Sequence, residues 1–183
     1  MIYPITLFGD PVLKKTGRAL TEEDLEGDLI EDMFETMYAA GGVGLAAPQI
    51  GKSLNLFVIY STPMEEDESK GLKRAFVNTE IIQESGDPWA FEEGCLSIPG
   101  IREDVNRQPE VHIRYRDEHF TEKEETFTGV IARIIQHEYD HTQGVLFTDY
   151  LSPLKKRLLK GRLSNISKGK VDADYRVKAP LKK

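Results

Sequence analysis

The sequence predicts an α+β fold, in which mainly antiparallel sheets surround a central helix of the pattern HExxH. Two observations carry this prediction. Alternating apolar and polar residues fill the middle of the chain, and segments of helical period occur at residues 129–144 and towards both ends. No composition break divides the 183 residues, so we expect a single domain over residues 1–183.

The N-terminal helix is predicted from apolar residues that recur every four positions. They form two parallel rows: Leu29, Met33 and Met37, and Ile30, Phe34 and Tyr38. Thr21 is suited to cap this helix at its N-terminus, and Gly41 with Gly42 is suited to end it. We therefore expect an amphipathic helix that buries one face.

The strands of the predicted sheet lie between this helix and the HExxH segment. "LNLFVI" (residues 54–59) and "AFVNTEII" (residues 75–82) have the composition of buried strands. The acidic segment "STPMEEDESKG" (residues 61–71) between them is predicted to be an exposed loop. "EVHIRYR" (residues 110–116) alternates apolar and polar residues, and "EETFTG" (residues 124–129) is predicted to pair with it as a hairpin.

A terminal amphipathic helix is predicted from "LSPLKKRLLKGRL". Ser152 is a suitable N-cap, and Pro153 occupies the first helical position, where its missing N–H is not needed. The apolar residues of one face follow: Leu154, Leu158, Leu159 and Leu163. This helix opens the basic C-terminal helix and tail, residues 155–183.

Charge is distributed unevenly along the chain. The net charge is −7, which argues against DNA as a specific partner. From Lys155 onward the chain contains eleven basic and two acidic residues, a net charge of +9. The preceding residues therefore carry a net charge of −7 − 9 = −16. The basic segment is a candidate docking surface for a polyanion, although a solvated helix and tail is the simpler interpretation.

Cysteine content and hydropathy indicate the cellular compartment in which the protein works. Cys95 is the single cysteine, so an intramolecular disulfide is impossible and a reducing compartment is expected. No run of about 20 apolar residues is present, and the first residues lack the pattern of a secretory or organellar leader. We expect a cytoplasmic protein with no membrane partner.

The segment "IARIIQHEYDHTQG" has the spacing of a metal site. His137 and His141 lie four positions apart and so share one helix face, where two neutral imidazoles are able to bind one transition metal ion. Glu138 follows the first histidine and is placed to act as a general base beside the ion. The central HExxH helix is therefore predicted to bind metal.

A catalytic site of this kind needs a third protein ligand. Where the pattern HExxHxxGxxH would supply a later histidine, this chain has Phe147, and no glutamate follows Glu138. Upstream, His112 and His119 have the polar neighbours of exposed strand histidines. Cys95 lies between Gly94, which permits close backbone approach, and Pro99, which limits regular pairing, so its sulfur is the favoured third ligand over buried packing.

Three stretches together resemble the signature motifs of peptide deformylases. They are "GVGLAAPQ" (residues 42–49), "EGCLS" (residues 93–97) and "QHEYDH" (residues 136–141), and "LFTDYLSPLKKR" continues the resemblance. The acidic loop near residues 64–70 is longer than in compact members, and Arg133 replaces a position that is often apolar. The resemblance implies removal of the formyl group from the N-terminal formylmethionine of new polypeptides, with release of formate.

The resemblance also implies the site. The implied metal ligands are Cys95, His137 and His141. The implied catalytic groups are Glu138 as acid/base, with Gln49 and the backbone N–H of Leu96 as oxyanion donors. The implied substrate-side residues are Val43, Gly44 and Arg102. Glu93 is favoured as a support behind the ligands, whereas Asp140 is favoured as a surface or helix-pairing charge.

Cofactor and partners follow from the same resemblance. One divalent ion per chain is implied, Fe²⁺ first, with Ni²⁺, Co²⁺ or Zn²⁺ as substitutes. The implied partners are N-formylmethionyl nascent peptides in the bacterial cytoplasm, and the basic C-terminal segment is a candidate for docking on the ribosome. Another metal amidase or peptidase, or a metal-stabilised binding module, remains the alternative.

Overall fold

The structure is a computed structural model that describes residues 1–181, so Lys182 and Lys183 of the basic segment lie outside the described residues. Residues 1–181 contain three α-helices: α1 Leu29–Ala39, α2 Gly129–Thr142 and α3 Pro153–Ser167. The strands are β1 Ile5–Thr6, β2 Gly44–Ala46, β3 Leu56–Tyr60, β4 Lys73–Ser85, β5 Trp89–Cys95, β6 Ile98–Arg107, β7 Glu110–Arg116, β8 Glu122–Thr128 and β9 Val177–Lys178. The predicted α+β class is confirmed.

The main sheet has five antiparallel strands in the order β2-β3-β4-β7-β8. Along β3, Phe57 and Ile59 face α2, whereas Leu56 and Val58 face α1, so the period of two divides the strand between two cores. Both faces of the strand are therefore covered. This explains the continuous apolar run that predicted it.

The side chains of the two cores are tightly buried. Met33 and Met37 of α1 are 0% exposed, and burial of each contributes roughly 1.5–3 kcal/mol. On the opposite face, the rings of Phe57 and Phe76 stack with centroids 4.9 Å apart. The helix that carries the HExxH pattern is thus anchored on a rigid sheet.

The predicted start of α1 is wrong. Thr21 precedes a short 3-10 helix, Glu22–Leu25, and α1 begins only at Leu29. Gly27 between them has φ +99°, a left-handed conformation that cannot continue a right-handed helix. The cap signal at Thr21 was genuine, but the turn that it begins is closed locally by the Asp24 carboxylate, which accepts the Thr21 N–H at 2.8 Å.

The hairpin of β5 and β6 confirms the expectation that Pro99 limits regular pairing. Cys95 pairs directly with Ile98, while the preceding Gly94 pairs with Arg102. Pro99 therefore falls in a bulge, where its missing N–H removes no ladder hydrogen bond. As a result the hairpin places Cys95 next to a tight tip formed by residues 96–97.

Helix α3 is mostly exposed, and Leu154 and Leu158 of its predicted apolar face are 63% and 72% exposed, so only part of that face is buried. The tail after α3 departs from the simpler interpretation of a solvated tail. Ser152 caps α3 as predicted, with its hydroxyl accepting the Lys155 N–H at 3.2 Å. Beyond α3 the chain turns back, and β9 pairs in parallel with β1. Among the described residues, no helix has the length and apolarity needed to cross a membrane.

Candidate active site

The structure brings together the three predicted ligands from two distant parts of the chain. Cys95, at the end of β5, lies against α2, and its Sγ is 3.3 Å from His141 Nε2. One ligand atom from each of Cys95, His137 and His141 lies within 4.8 Å of the others. The 3.3 Å separation is close to that of two ligands on a tetrahedral ion with bonds of about 2.0–2.3 Å.

The two upstream histidines are excluded from this cluster. His119 is 80% exposed at its side chain, and His112 lies on the outer face of β7, where its ring contacts Thr126 and Glu124. Phe147, which stands where a histidine ligand would be in the longer pattern, places its ring 6.2 Å from that of His137. Of the upstream candidates, Cys95 is the one that lies beside the histidine pair.

Glu93 lies behind His137 and fixes its orientation. Its Oε1 accepts a hydrogen bond from His137 Nδ1 at 2.8 Å, which leaves Nε2 as the nitrogen facing the cluster. A carboxylate on the outer nitrogen of a ligand histidine sets the tautomer and makes the other nitrogen a better donor to metal. The prediction that Glu93 supports the site agrees with this contact.

A buried set of charges surrounds Glu93. Arg107 donates to both of its oxygens, at 2.8 and 3.0 Å, and Arg133 Nη1 donates to Oε2 at 2.8 Å. Arg107 also donates to Asp140 at 2.8 Å. We call Glu93, Arg107, Arg133 and Asp140 the inner network. Asp140 is therefore no surface charge, and its expected surface role is wrong.

Neither arginine of the inner network was predicted from the sequence to be part of the site. Arg133 is 3% exposed, packs on the ring of Trp89 at 4.6 Å, and donates to the carbonyl oxygens of Val105 and Trp89. A signal was present, because Arg133 stands among the apolar residues of a buried helix face. A charge at such a position requires a buried partner.

The environment shifts the pKa values of the cluster in opposite directions. Burial acts to raise the pKa of Glu93, but its hydrogen bonds with His137 and Arg107 outweigh burial and hold that pKa well below its ordinary value. Burial raises the pKa of the Glu138 carboxyl to about 7. Burial also lowers the pKa of His141, which favours the neutral imidazole that a metal needs.

His137 behaves differently. Burial acts to lower its pKa, but the Cys95 sulfur and the Glu93 carboxylate raise that pKa well above its ordinary value. Both partners favour positive charge at this point in the cluster. Independently of these shifts, a thiol and two imidazoles with ligand atoms within 4.8 Å of one another are a donor set that suits a divalent transition metal ion, so the residues present fit a bound metal.

Glu138 lies beside the cluster with its carboxylate pressed against Gly44 of β2. A Cβ at residue 44 would lie 2.5 Å from Glu138 Oε1, so only glycine leaves room for the carboxylate. Among the described residues, no hydrogen-bond partner is found for Glu138 Oε2, although it is buried. A buried, unpartnered carboxylate oxygen that lines a cleft is suited to accept a proton from a bound molecule.

Gln49 connects the β2 region to the hairpin tip. Its Oε1 accepts the Ala46 N–H at 2.9 Å, which fixes the direction of the amide. Its Nε2 then donates towards Ser97 Oγ at 3.2 Å and Cys95 Sγ at 3.4 Å. Gln49 is 1% exposed, and its amide nitrogen points at the cluster of Cys95, His137 and His141.

A cleft of about 730 Å³ opens above these residues. Val43, Gly44 and Leu96 line it, together with His137 and Glu138. The remaining predicted residue, Arg102, also lines the cleft, at its rim, where it pairs with Glu92 at 2.9 Å and is 61% exposed at its side chain. The volume is that of a small-molecule or peptide-end pocket.

Comparison with known proteins agrees with this geometry. Residues 2–157 match the family model described as polypeptide deformylase. The chain belongs to the polypeptide deformylase family. A peptide deformylase of Flavobacterium johnsoniae is 53% identical over 97% of this chain and 96% of its own, and one of Cytophaga hutchinsonii is 53% identical over the whole of both.

Solved deformylase structures resemble the fold as a whole. The enzyme of Thermus thermophilus has a TM-score of 0.82 at 37% identity, covering 92% of this chain and 99% of its own. The enzyme of Plasmodium falciparum has a TM-score of 0.80 at 31% identity, covering 90% and 95%. As a polypeptide deformylase, the chain is a hydrolase that removes the formyl group from the N-terminal methionine of nascent polypeptides, and the family depends on a metal.

Proposed function

We propose that Cys95, His137 and His141 hold the catalytic metal and that Glu138 moves the proton in deformylation. The observation that carries this proposal is the convergence of the three ligand atoms within 4.8 Å of one another, with the buried Glu138 carboxylate alongside in the same cleft. The site is split, since its ligands come from a hairpin tip and from a helix. The whole of residues 1–183 would form one catalytic domain.

The metal would contribute chemistry that is common to divalent ions in hydrolytic enzymes. When bound, a divalent ion polarises the formyl carbonyl and lowers the pKa of a water molecule towards neutrality. The residues of the chain supply proton transfer and charge stabilisation. Glu138 accepts a proton from the attacking water and then delivers it to the nitrogen of the leaving amine, so that formate and a free N-terminus result.

The developing negative charge on the formyl oxygen needs hydrogen-bond donors. Gln49 Nε2 and the backbone N–H of Leu96 are proposed for this role, and each such donor contributes roughly 3 kcal/mol to the stability of the transition state. Support comes from the Gln49 amide, whose oxygen is held by the Ala46 N–H so that its nitrogen faces the cluster. A held amide does not need to reorganise during the reaction.

Substrate binding is assigned to the cleft walls. Val43 and Gly44, at the start of β2, border the cleft beside Glu138, and Arg102 stands at the rim. We propose that the formylmethionine end enters between them, with its peptide extending beside the β2 edge of the main sheet. Arg102, which is exposed, is suited to meet a carbonyl or carboxylate of the peptide.

Fe²⁺ is the proposed ion, with Ni²⁺, Co²⁺ or Zn²⁺ as substitutes. A thiolate and two imidazoles suit all four ions, and the thiolate makes the site electron-rich. Such a ferrous site is open to oxidation of the metal or of the Cys95 sulfur. Activity should therefore decay in air, and full iron and full activity after days of aerobic storage would contradict a ferrous centre.

The direct test compares two histidines. Chain purified without oxygen is assayed for metal content and for cleavage of a formyl-Met peptide and its acetyl-Met counterpart. We expect His141→Ala to lose the metal and turnover. The control His112→Ala, which removes a ring on the outer face of β7, should retain both. Cleavage of acetyl-Met peptides at a similar rate, or metal retained by His141→Ala, would contradict the proposal.

We further propose that the protein works in the bacterial cytoplasm and docks on the ribosome through α3. Support comes from the exposed basic side chains of Lys156, Arg157 and Lys160 and from Leu158, which is 72% exposed. Such a surface favours a polyanion. Reversing the three charges to glutamate should weaken salt-sensitive ribosome binding while cleavage of a free formyl peptide is unchanged. Equal binding before and after would contradict the docking.

A further inference from the structure

The chain beyond α3 returns to the active site. Residues 171–179, which we call the return segment, alternate strictly between partly buried and exposed positions. Val171, Ala173, Tyr175, Val177 and Ala179 face inward, and the intervening polar residues face solvent. This period of two is the signature of a strand on a core, and it was visible in the sequence "VDADYRVKA". Its polar half explains why the segment was predicted to be a solvated tail.

Backbone pairing fixes the position of the return segment. The N–H of Ile5 donates to the carbonyl of Arg176 at 2.8 Å, and the N–H of Leu7 donates to the carbonyl of Lys178 at 2.9 Å. Val177 also packs in a core cluster with Ile98, at the base of the hairpin tip. The segment is thus tied to the body of the enzyme by backbone pairing and by side-chain packing.

The return segment borders the catalytic cleft. Residues 172–175 line the same cleft as Cys95 and Glu138. They stand outside residues 2–157, to which the family model matches. One wall of the cleft therefore comes from a part of the chain that the family motifs do not include.

Tyr175 joins this wall of the cleft to the hairpin tip. Its hydroxyl donates to the carbonyl oxygen of Leu96 at 2.8 Å. The hairpin tip is held from two other directions, since the Phe8 N–H donates to the carbonyl of Ser97 at 2.9 Å and Gln49 donates to Ser97 Oγ at 3.2 Å. Of these contacts, only the tyrosine hydroxyl reaches residue 96 itself.

The state of the hydroxyl suits this contact. Burial raises the pKa of Tyr175 to about 12, so the side chain remains a neutral donor throughout the physiological range. Its ring packs in the same apolar cluster as the Leu96 side chain. The ring of Tyr175 and the side chain of Leu96 therefore rest on one buried core, and the hydroxyl joins the two residues directly.

We propose that Tyr175 is a positioning residue for deformylation, which holds the Leu96 backbone at the hairpin tip in the orientation that stabilises the oxyanion. This inference rests on the proposed function, in which the N–H of Leu96 is an oxyanion donor. An oxyanion donor must be within a few tenths of an ångström of its place before the reaction begins. The hydrogen bond from Tyr175 to the Leu96 carbonyl limits rotation of the Leu96 backbone, and so limits the directions in which its N–H can point.

The test is Tyr175→Phe, which keeps the ring and removes only the hydroxyl. We expect kcat for a free formyl-Met peptide to fall by about threefold to tenfold, as the loss of one hydrogen bond would produce. The KM should stay within twofold of the wild-type value, because the substrate contacts of the cleft remain. Metal content and melting temperature should be close to those of the wild type.

The matched control is Arg176→Gln. Arg176 follows in the same segment and also donates to a backbone carbonyl, that of Ile2 at 3.2 Å, but it is exposed and directed away from the cleft. We expect its kcat and KM to equal those of the wild type. A fall in kcat for both variants would assign the effect to loosening of the whole segment and would overturn a specific role for Tyr175.

Two other results would overturn the inference. An unchanged kcat in Tyr175→Phe would show that the hydroxyl is dispensable, and a raised KM with unchanged kcat would make Tyr175 a substrate contact instead. Failure of the proposed function is recognised separately, because Glu138→Ala would then keep its turnover. Tyr175→Ala, which also removes the ring, should lose more kcat than Tyr175→Phe, provided that circular dichroism shows a folded chain.

Discussion

Two charge clusters of this enzyme contain the same kinds of residue in opposite surroundings. In the inner network, the side chains of Glu93 and Arg107 are each 5% exposed. On the outer face of the main sheet, Arg114 and Glu124 pair across β7 and β8 at 3.2 Å, and both are 45% exposed. The difference in burial decides what each cluster contributes to stability and to function.

Buried charges are costly to remove from water and remain only where geometry is good. The inner network meets this demand, since Arg107 makes two hydrogen bonds to Glu93 and a third to Asp140. The network thereby fixes the Glu93 carboxylate, which in turn fixes the orientation of the His137 ring. The outer pairs are exposed to water, and screening by solvent weakens the attraction between their charges. They keep the outer face of the sheet polar, and they position no catalytic group.

Glu93→Gln should have the largest effect on stability. It would leave Arg107 and Arg133 buried without a carboxylate, and breaking a buried charge set of this kind costs about 3–5 kcal/mol. Urea unfolding of the metal-free chain measures the change in the free energy of unfolding without a contribution from metal loss. Exposed ion pairs contribute at most about 1 kcal/mol to the free energy of unfolding. A smaller change than this in Glu93→Gln would show that the inner network stabilises the fold no more than an exposed pair does.

Arg133→Met should have an intermediate effect. The methionine fills a similar apolar volume against Trp89, and Glu93 keeps its two hydrogen bonds from Arg107. Two carbonyl oxygens lose their donor, so we expect a loss of about 1–3 kcal/mol in the same urea experiment. A loss equal to that of Glu93→Gln would mean that Arg133, not Glu93, is the centre of the network.

Glu124→Gln should have a small effect. The substitution keeps the shape of an exposed side chain that contacts Arg114 and His112 on the sheet surface. We expect its urea midpoint and turnover to be indistinguishable from those of the wild type. A midpoint shift comparable to that of Arg133→Met would show that the outer face is more than a solvated surface.

The smallest effect concerns acid titration of Glu124. Hydrogen bonds with His112 and Arg114 lower the pKa of this carboxyl below its ordinary value of 4.5. A carboxyl with a lowered pKa stabilises the fold above its unfolded pKa, and the contribution is lost as pH falls through the folded pKa. In 1 M salt the Debye length falls to about 3 Å, so the charges of His112 and Arg114 are largely screened. NMR titration of Glu124 in that salt should therefore give a pKa closer to 4.5 than titration at low salt. A pKa that does not respond to salt would indicate a buried pair.

Local signals in the sequence predicted most of the helices and part of the site. The starts of α2 and α3 follow from the glycine at Gly129 and the cap at Ser152, which act within one turn. The histidine pair was found because its spacing is itself the geometry of a helix face. Cys95 was selected because a catalytic metal site of this kind takes a third protein ligand.

The remaining features depend on contacts between distant residues. Glu93 and Arg107 pair across the hairpin of β5 and β6, and Asp140 joins them from α2. No local pattern specifies such a network. The pairing of β9 with β1 joins residues near the two ends of the chain, so the alternating pattern at residues 171–179 predicts a strand without naming its partner.

The central claim is that metal binding and proton transfer belong to different residues of the split site. Glu138→Ala tests it most directly, with metal content and formyl-Met peptide turnover measured on the same anaerobic preparation. We expect the metal to be retained at the wild-type ratio and turnover to fall by about a hundredfold or more. Loss of the metal from this variant, or turnover near that of the wild type, would contradict the account.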